Sequence, residues 1–291
     1  MENLAAMKTN RLDGAPEKIR TSDLLLRRQT LYPAELRVHT SYLPAPVYQN
    51  SGTPHRLLSS GYGETFPRLP ESLAQRLQTV NERIQNACAR ARRDPAEVRL
   101  LAVTKIFPAE VIRDAYTLGL REFGENYVQE MERKAPVLTD LTDARFHLIG
   151  HLQSNKTKKT AQLFSSIDSL DSAKLATRLN AELKPLDVMI EVKLSAEESK
   201  SGADESKVAA IVEEIRNNCR NLTLRGLMTV PPWSEDAEQS RPYFARLREL
   251  AERHQIPELS MGMSNDLEVA IEEGATWVRV GTALFGRRQK P

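Results

Sequence analysis

Apolar positions recur with two different periods along the chain, and the period depends on the region. Between Leu73 and Cys88 the apolar residues are spaced three or four apart, which is typical of one buried face of an amphipathic helix. From Arg99 onward, short apolar runs alternate with further helical patterns. The pattern therefore predicts an α/β protein in which strands and helices alternate.

The strand-like runs number eight, and helical patterns such as Pro108–Leu118 and Gln239–His254 separate them. Eight alternations over roughly 200 residues indicate a single-domain (β/α)₈ barrel of the TIM type. An open doubly wound sheet is the alternative, but no Gly-x-Gly-x-x-Gly motif follows any run. The predicted strands are Arg99–Lys105, Glu122–Asn126, Arg145–Gly150, Ser166–Leu170, Asp187–Leu194, Leu222–Val230, Glu258–Met263 and Trp277–Gly281.

Residues 1–69 do not continue this pattern. Pro, Ser, Arg and Tyr are frequent there, and neither period is sustained. The segment also holds nine Lys and Arg against six Asp and Glu, whereas the other 222 residues hold 32 against 33. We predict a disordered or spuriously translated extension at 1–69 and a ligand-binding barrel at 70–291. A regulatory or targeting arm is the alternative.

Composition excludes several classes of function. Hydrophobic residues make up 40% of the chain and charged residues 27%, as in ordinary soluble proteins. A net charge of +2 indicates no dedicated nucleic-acid surface, and no apolar run suits a membrane span or a secretory signal. Cys88 and Cys219 lack the spacing of a disulfide framework or zinc site. We expect a cytoplasmic protein without a metal, a membrane or a nucleic acid as partner.

Two histidines, His147 and His151, bracket the third predicted strand. Together they could form a metal pair, but no third ligand lies at a useful spacing. Structural or surface roles are therefore the favoured interpretation for both.

Lys105 ends the first apolar run, and its chemistry depends on its surroundings. Ligands of such barrels bind at the carboxyl ends of the strands, where a lysine is partly removed from water. Desolvation lowers the pKa of the amine and lets it attack a carbonyl, as in a Schiff base with pyridoxal phosphate. The simpler alternative is a solvated lysine at the end of a strand. Asn126 and Met228 occupy the corresponding ends of the second and sixth runs.

The loops after the seventh and eighth runs have the composition of a phosphate site. Ser264–Asp266 offers helix-capping side chains before the predicted helix Leu267–Glu273. Arg279 supplies charge, Gly281 permits close approach of the backbone, and Thr282 adds a hydroxyl. A helix cap and an ordinary turn are the alternative, but barrel phosphate sites commonly use these two loops.

Seven segments with more specific motifs occur in order: Leu101–Lys105, Phe123–Glu130, His147–Lys156, Lys200–Gly202, Arg225–Met228, Leu259–Ser264 and Val278–Thr282. Together they resemble the YggS/PROSC family, the pyridoxal phosphate homeostasis proteins. The resemblance covers about residues 70–288 and implies the barrel of the alanine racemase N-terminal domain. It also implies pyridoxal 5'-phosphate as the cofactor. Residues 1–69 have no counterpart in the family.

The same resemblance implies a role for each candidate residue. Lys105 matches the lysine that forms the internal aldimine. Asn126 and Met228 match positions beside the cofactor ring, and the phosphate cradle corresponds to Ser264, Arg279, Gly281 and Thr282. Asn265 departs from the family, which usually carries Asp or Ala there, and we expect a mild effect.

The implied function is non-enzymatic. The protein would hold pyridoxal phosphate, act in vitamin B6 homeostasis and supply apoenzymes that depend on the cofactor, as a monomer. The alternative is an amino-acid racemase, which carries a second, β-rich domain and borrows a second acid/base residue across a dimer interface. This chain ends about ten residues after the eighth run, so we expect neither. A sugar-phosphate enzyme, the third hypothesis, leaves Lys105 without a role.

Overall fold

Eight parallel strands form a closed ring in the computed structural model, which describes residues 71–195 and 201–286. The last strand pairs with the first, and the fourth pairs with the fifth, so the ring closes on both sides. This confirms the TIM-type barrel and excludes the open sheet. The barrel strands are β1 (Arg99–Val103), β2 (Glu122–Glu125), β3 (Arg145–Leu148), β4 (Ser166–Leu170), β5 (Leu186–Lys193), β7 (Leu222–Met228), β8 (Glu258–Ser260) and β9 (Trp277–Val280); the two-residue β6 (Ala203–Asp204) pairs with β5.

Helices lie between the strands, as the alternating pattern predicts. A capping box at Ser72 begins the first helix, and its buried face includes Val80 and Ile84. That helix packs against the last two. The helices are α1 (Leu73–Ala91), α2 (Ala109–Thr117), α3 (Val128–Lys134), α4 (Thr157–Leu163), α5 (Ala173–Asn180), α6 (Glu205–Asn218), α7 (Arg241–His254), α8 (Leu267–Glu272) and α9 (Thr282–Phe285).

Several predicted boundaries are wrong by a few residues. The first strand ends at Val103, so Lys105 lies in the following turn rather than in the strand. The seventh strand ends at Ser260, although the next residue, Met261, remains fully buried. Apolar character marks burial, and burial continues into the loops at this end of the barrel.

Alternation along the strands divides the apolar residues into two layers. Val278 and Val280 pack in the large core between the strands and the helices. Trp277, on the opposite face of the same strand, joins a small cluster inside the barrel with Leu101, Met189 and Met228. Ile149 packs against this inner cluster.

The predictions for residues 1–69 and for Lys200 fall outside the described residues. Within the described residues, no helix is long and apolar enough to cross a membrane.

Candidate functional site

A cavity of about 490 Å³ opens at the carboxyl ends of the strands. Its lining comes from the carboxyl ends of seven of the eight barrel strands and from the segments that follow them. Such a site is the position where this fold binds ligands. Six of the seven predicted cofactor residues meet here: Lys105, Asn126, Ser264, Arg279, Gly281 and Thr282.

Met228 is the exception among the predicted residues. It is fully buried in the inner cluster, and Val230, two residues later, lines the cavity instead. Side chains two residues apart on a strand share a face but differ in depth by about 7 Å. The predicted position of Met228 beside a cofactor ring therefore stays a prediction.

Ser264 joins the two loops of the predicted phosphate site. Its Oγ accepts a hydrogen bond of 3.2 Å from the backbone N–H of Ala283, in the first turn of α9. The prediction that Ser264–Asp266 caps α8 is right only in position. Asp266 is the N-cap residue, but its carboxylate accepts hydrogen bonds from the Met263 N–H and the Ser240 hydroxyl.

Gly281 contacts the end of β1 closely. A Cβ atom added there would lie 3.3 Å from the carbonyl oxygen of Val103, which is tight for a side chain. A glycine at this position lets the backbone around Thr282 lie against the strand that leads to Lys105. The predicted lysine and the predicted phosphate loop are thereby brought to neighbouring parts of one cavity.

Arg279 is buried, and most of its hydrogen-bonding capacity is already used. Nη1 donates to the carbonyl and the hydroxyl of Ser260, at 2.6 and 2.9 Å, and Nη2 donates to the carbonyl of Thr229 at 2.8 Å. Burial lowers the pKa of the guanidinium, while the nearby carboxylates of Asp168, Asp266 and Glu191 act in the opposite direction. Three of its five N–H bonds therefore hold the ends of β7 and β8.

Two buried polar atoms of the lining have no hydrogen-bond partner among the described residues: Asn126 Oδ1 and Ser195 Oγ. A buried polar atom without a partner is costly. Both atoms are therefore suited to a polar ligand. Gly150 supports this arrangement, since an added Cβ would lie 2.3 Å from the carbonyl oxygen of Asn126.

The cavity also contains residues that the sequence analysis missed. Glu191 is buried, and burial raises the pKa of its carboxyl, while hydrogen bonds from Ser201 oppose this effect. Lys193 is a second amine, and Trp233 is 75% exposed in the loop after β7. One signal was available: Glu191 is the single acid within the otherwise apolar run Val188–Val192.

The two histidines have different surroundings. His147 is buried, with Nδ1 3.0 Å from Asp168 Oδ2 and Nε2 2.8 Å from Glu122 Oε2. His151 is exposed on the cavity lining, with Nδ1 3.4 Å from Asp171 Oδ2. Residues 71–195 and 201–286 contain no group of three side chains that could hold a metal ion.

Comparison with known families agrees with this geometry. The family model of the alanine racemase N-terminal domain matches residues 76–289. The chain belongs to this family. Among its relatives, the pyridoxal phosphate homeostasis protein of Pseudomonas aeruginosa is 47% identical over 223 residues, 75% of this chain and 96% of that protein. The mouse protein of the same name is 42% identical over 234 residues, 73% and 85% of the two chains. These relatives confirm the resemblance seen in the sequence motifs.

Solved structures show the same relationship. PipY of Synechococcus elongatus, solved with pyridoxal phosphate bound, is 39% identical and superposes with a TM-score of 0.65, over 74% of this chain and all of that one. An alanine racemase of Clostridium difficile superposes with a TM-score of 0.54 over 72% of this chain and 57% of the enzyme, at 12% identity. That second likeness shows the shared barrel alone.

Proposed function

We propose that this protein binds pyridoxal 5'-phosphate in the cavity and acts in vitamin B6 homeostasis as a carrier rather than an enzyme. The observation that carries the proposal is the convergence of Lys105, Asn126 and the two phosphate loops on one cavity. The printed names of the relatives, and the bound cofactor of PipY, support it.

The residues of the lining fit such a ligand by their chemistry. The hydroxyls of Ser264 and Thr282 supply hydrogen-bond donors for a phosphate, and Arg279 supplies positive charge. The unpartnered Oδ1 atom of Asn126 can accept a hydrogen bond from a ring substituent. A phosphate and a polar ring would thus each meet complementary groups.

Lys105 is the proposed covalent anchor. Bound pyridoxal phosphate supplies an aldehyde that a primary amine attacks. Lys105 lies partly buried in the turn after β1, between the fully buried Thr104 and the exposed Ile106. Lys193 lines the same cavity and is the rival amine.

Mapping the modified lysine tests the proposal. The full-length protein is loaded with pyridoxal phosphate, reduced with borohydride, digested and analysed by mass spectrometry. We expect a pyridoxyl group on Lys105, an absorbance band near the visible edge before reduction, and loss of both in Lys105→Ala. Lys193→Met is the matched control and should retain both. A label confined to Lys193, or no label, would contradict the assignment.

A second candidate function, slow proton exchange on a bound amino acid, is favoured by one observation. Proton exchange at both faces of the bound amino acid needs a second acid/base group besides the lysine. The sequence offered no candidate, but the cavity contains the buried carboxyl of Glu191. Burial raises the pKa of this carboxyl and so favours its protonated form, which can donate a proton.

The cellular setting extends the proposal. We infer a cytoplasmic monomer that passes the cofactor to apoenzymes dependent on pyridoxal phosphate. Light scattering on the purified protein tests the first part, and a mass of about 33 kDa is expected from the 32.8 kDa chain. Reactivation of a cofactor-free aminotransferase by the loaded protein, faster than by the same concentration of free cofactor, tests the second.

A further inference from the structure

A buried ion cluster lies directly behind the turn that carries Lys105. The ammonium of Lys134, on α3, is 2.7 Å from Glu125 Oε1 and 2.7 Å from Glu130 Oε1. It also donates to the carbonyl oxygen of Thr104 at 3.1 Å. We call these four residues, Lys134, Glu125, Glu130 and Thr104, the Lys134 cluster.

The Lys134 cluster lies outside the cavity lining, and nothing in the proposed binding of the cofactor uses it. The Lys134 side chain is only 7% exposed, and those of Glu125 and Glu130 are 0% and 13% exposed. Removing three charged groups from water is costly even when they pair well. A role that depends on geometry would account for a charged cluster at this position.

The two carboxylates of the cluster hold the two residues that flank Lys105. Glu125 Oε1 accepts a hydrogen bond of 2.7 Å from the hydroxyl of Thr104. Glu130 Oε1 accepts one of 2.6 Å from the backbone N–H of Ile106. Lys134 bridges the two carboxylates, so the backbone before and after Lys105 is tied to a single buried charge.

The backbone at Ile106 has an unusual conformation. Its φ angle is +72°, in the left-handed region that β-branched residues rarely adopt. The residue is 56% exposed, so burial contributes little to holding it in this conformation. The hydrogen bond to Glu130 contributes directly, because it fixes the N–H of this residue. The Phe107 N–H also closes this turn by donating to the Thr104 carbonyl oxygen at 3.1 Å, so loss of the Glu130 bond would leave the left-handed residue held by that one backbone bond.

We propose that the Lys134 cluster positions Lys105 for cofactor capture by holding Thr104 and by stabilising the left-handed turn at Ile106. Glu130 is the critical positioning residue, because its carboxylate joins the turn to Lys134. The proposal rests on the function proposed above, in which Lys105 binds the cofactor. A purely structural cluster would instead affect stability and leave the reactivity of Lys105 unchanged.

The test measures the rate at which Lys105 captures pyridoxal phosphate, by stopped-flow absorbance on full-length protein. Glu130→Met removes the acceptor and should slow capture by about tenfold, the factor that a left-handed penalty of 1–2 kcal/mol implies. Glu130→Gln keeps an oxygen acceptor and should remain within about twofold of wild type. Glu132→Met is the matched control on α3, because Glu132 pairs with the exposed Lys159.

A second substitution tests the turn itself. Glycine adopts the left-handed region without penalty, so Ile106→Gly combined with Glu130→Met should recover most of the lost rate. A double variant that still captures the cofactor slowly would overturn the role proposed for the left-handed turn at Ile106. If Glu130→Met does not fold, Thr104→Val replaces it, since the nearly isosteric change removes the hydroxyl bonded to Glu125. Slowed capture by Thr104→Val supports the proposal, and an unchanged rate contradicts it.

A measurement without cofactor separates this proposal from the proposed function. Acetic anhydride acetylates amines of the cofactor-free protein, and mass spectrometry compares Lys105 with the exposed Lys158. Glu130→Met should change the relative acetylation of Lys105, whereas Glu132→Met should not. If wild type captures no cofactor, the proposed function fails, and acetylation alone still decides on positioning. Wild-type rates in Glu130→Met by both measurements would overturn the positioning role.

Discussion

His147 and Asp168 form a buried ion pair inside the barrel, with Nδ1 of the imidazole 3.0 Å from Oδ2 of the carboxylate. Burial by itself lowers the pKa of the imidazole, but the charges and hydrogen bonds of Asp168 and Glu122 raise it to about 9. The ring also packs against Trp277, with 5.2 Å between the centroids. His147 is therefore a charged residue of the core at neutral pH.

We predict that this histidine makes the stability of the barrel depend on pH. Its folded pKa lies above the unfolded value of about 6.5, so its contribution is complete below about pH 6.5 and is lost as pH rises through about 9. The shift corresponds to a change on the order of 3 kcal/mol in the free energy of unfolding. Urea denaturation at several pH values between 6 and 9.5 measures it.

His147→Gln provides the comparison for this prediction. Glutamine does not titrate, so the difference between the two unfolding curves isolates the histidine from other groups that titrate in this range. The difference should shrink as the pH rises toward 9. Two curves that run parallel over the whole range would show that His147 keeps the same charge when the protein unfolds.

The burial of the strands and the spacing of apolar residues in the helices explain how much of the fold could be predicted from the sequence. Strands covered on both faces appear as apolar runs, so all eight barrel strands were located. The short helices α3 and α9 were not assigned individually, because seven and four residues hold too few apolar positions to establish a period. The tertiary packing of the barrel stabilises them instead.

The sequence indicated which end of the barrel holds the candidate site, but it did not indicate how far along each strand the cavity lining begins. Leu101 and Val103 share one face of β1, yet Leu101 lies in the inner cluster and Val103 lines the cavity. The same relation holds on β9 for Trp277 and Arg279. Alternation shows which face points inward, but the height of the cavity floor depends on how the strands are staggered around the ring. For this reason the sequence alone could not decide whether Met228 or Val230 lies at the height of the cavity lining.

Arg279→Ala should weaken the binding of pyridoxal phosphate by about one to two decades, the effect of losing a charge-assisted contact of about 1.5–3 kcal/mol. The melting temperature should fall as well, because the carbonyls of Ser260 and Thr229 lose their donor. Titration of the cofactor-free protein measures the affinity. Ser260→Ala is the control, since it removes one hydroxyl acceptor and leaves the guanidinium in the cavity. Equal affinity in Arg279→Ala and wild type would remove Arg279 from the proposed cradle.

Deletion of residues 1–69 should leave cofactor affinity and melting temperature nearly unchanged. The barrel has its own first helix, which begins with the capping box of Ser72 and Gln75. A deletion that also removes Ser72 should cost about 1 kcal/mol of stability through loss of the cap. Thermal unfolding of the two truncated proteins makes the comparison. If the shorter deletion loses the cofactor or does not fold, the extension is part of the working protein.

Efficient catalysis should be absent. A second positioned acid/base group typically contributes 10²–10⁴-fold to a proton transfer. Among the residues that the structure describes, Glu191 is the single carboxyl in the cavity lining, and it already accepts hydrogen bonds from Ser201 at 3.0 and 3.1 Å. We therefore expect racemase, decarboxylase and aminotransferase turnover well below about 1 s⁻¹, the low end for ordinary enzymes.

Assays of the loaded protein against a panel of L- and D-amino acids test this last prediction, with solvent deuterium exchange as the sensitive readout. Slow deuterium exchange that is lost in both Glu191→Gln and Lys105→Ala would assign this proton exchange to the two residues. Because Ser201 remains able to donate to a glutamine oxygen, the substitution changes the titrating group more than its contacts. Turnover above about 1 s⁻¹ that disappears in Lys105→Ala would instead make the protein an enzyme, since no carrier function requires that rate.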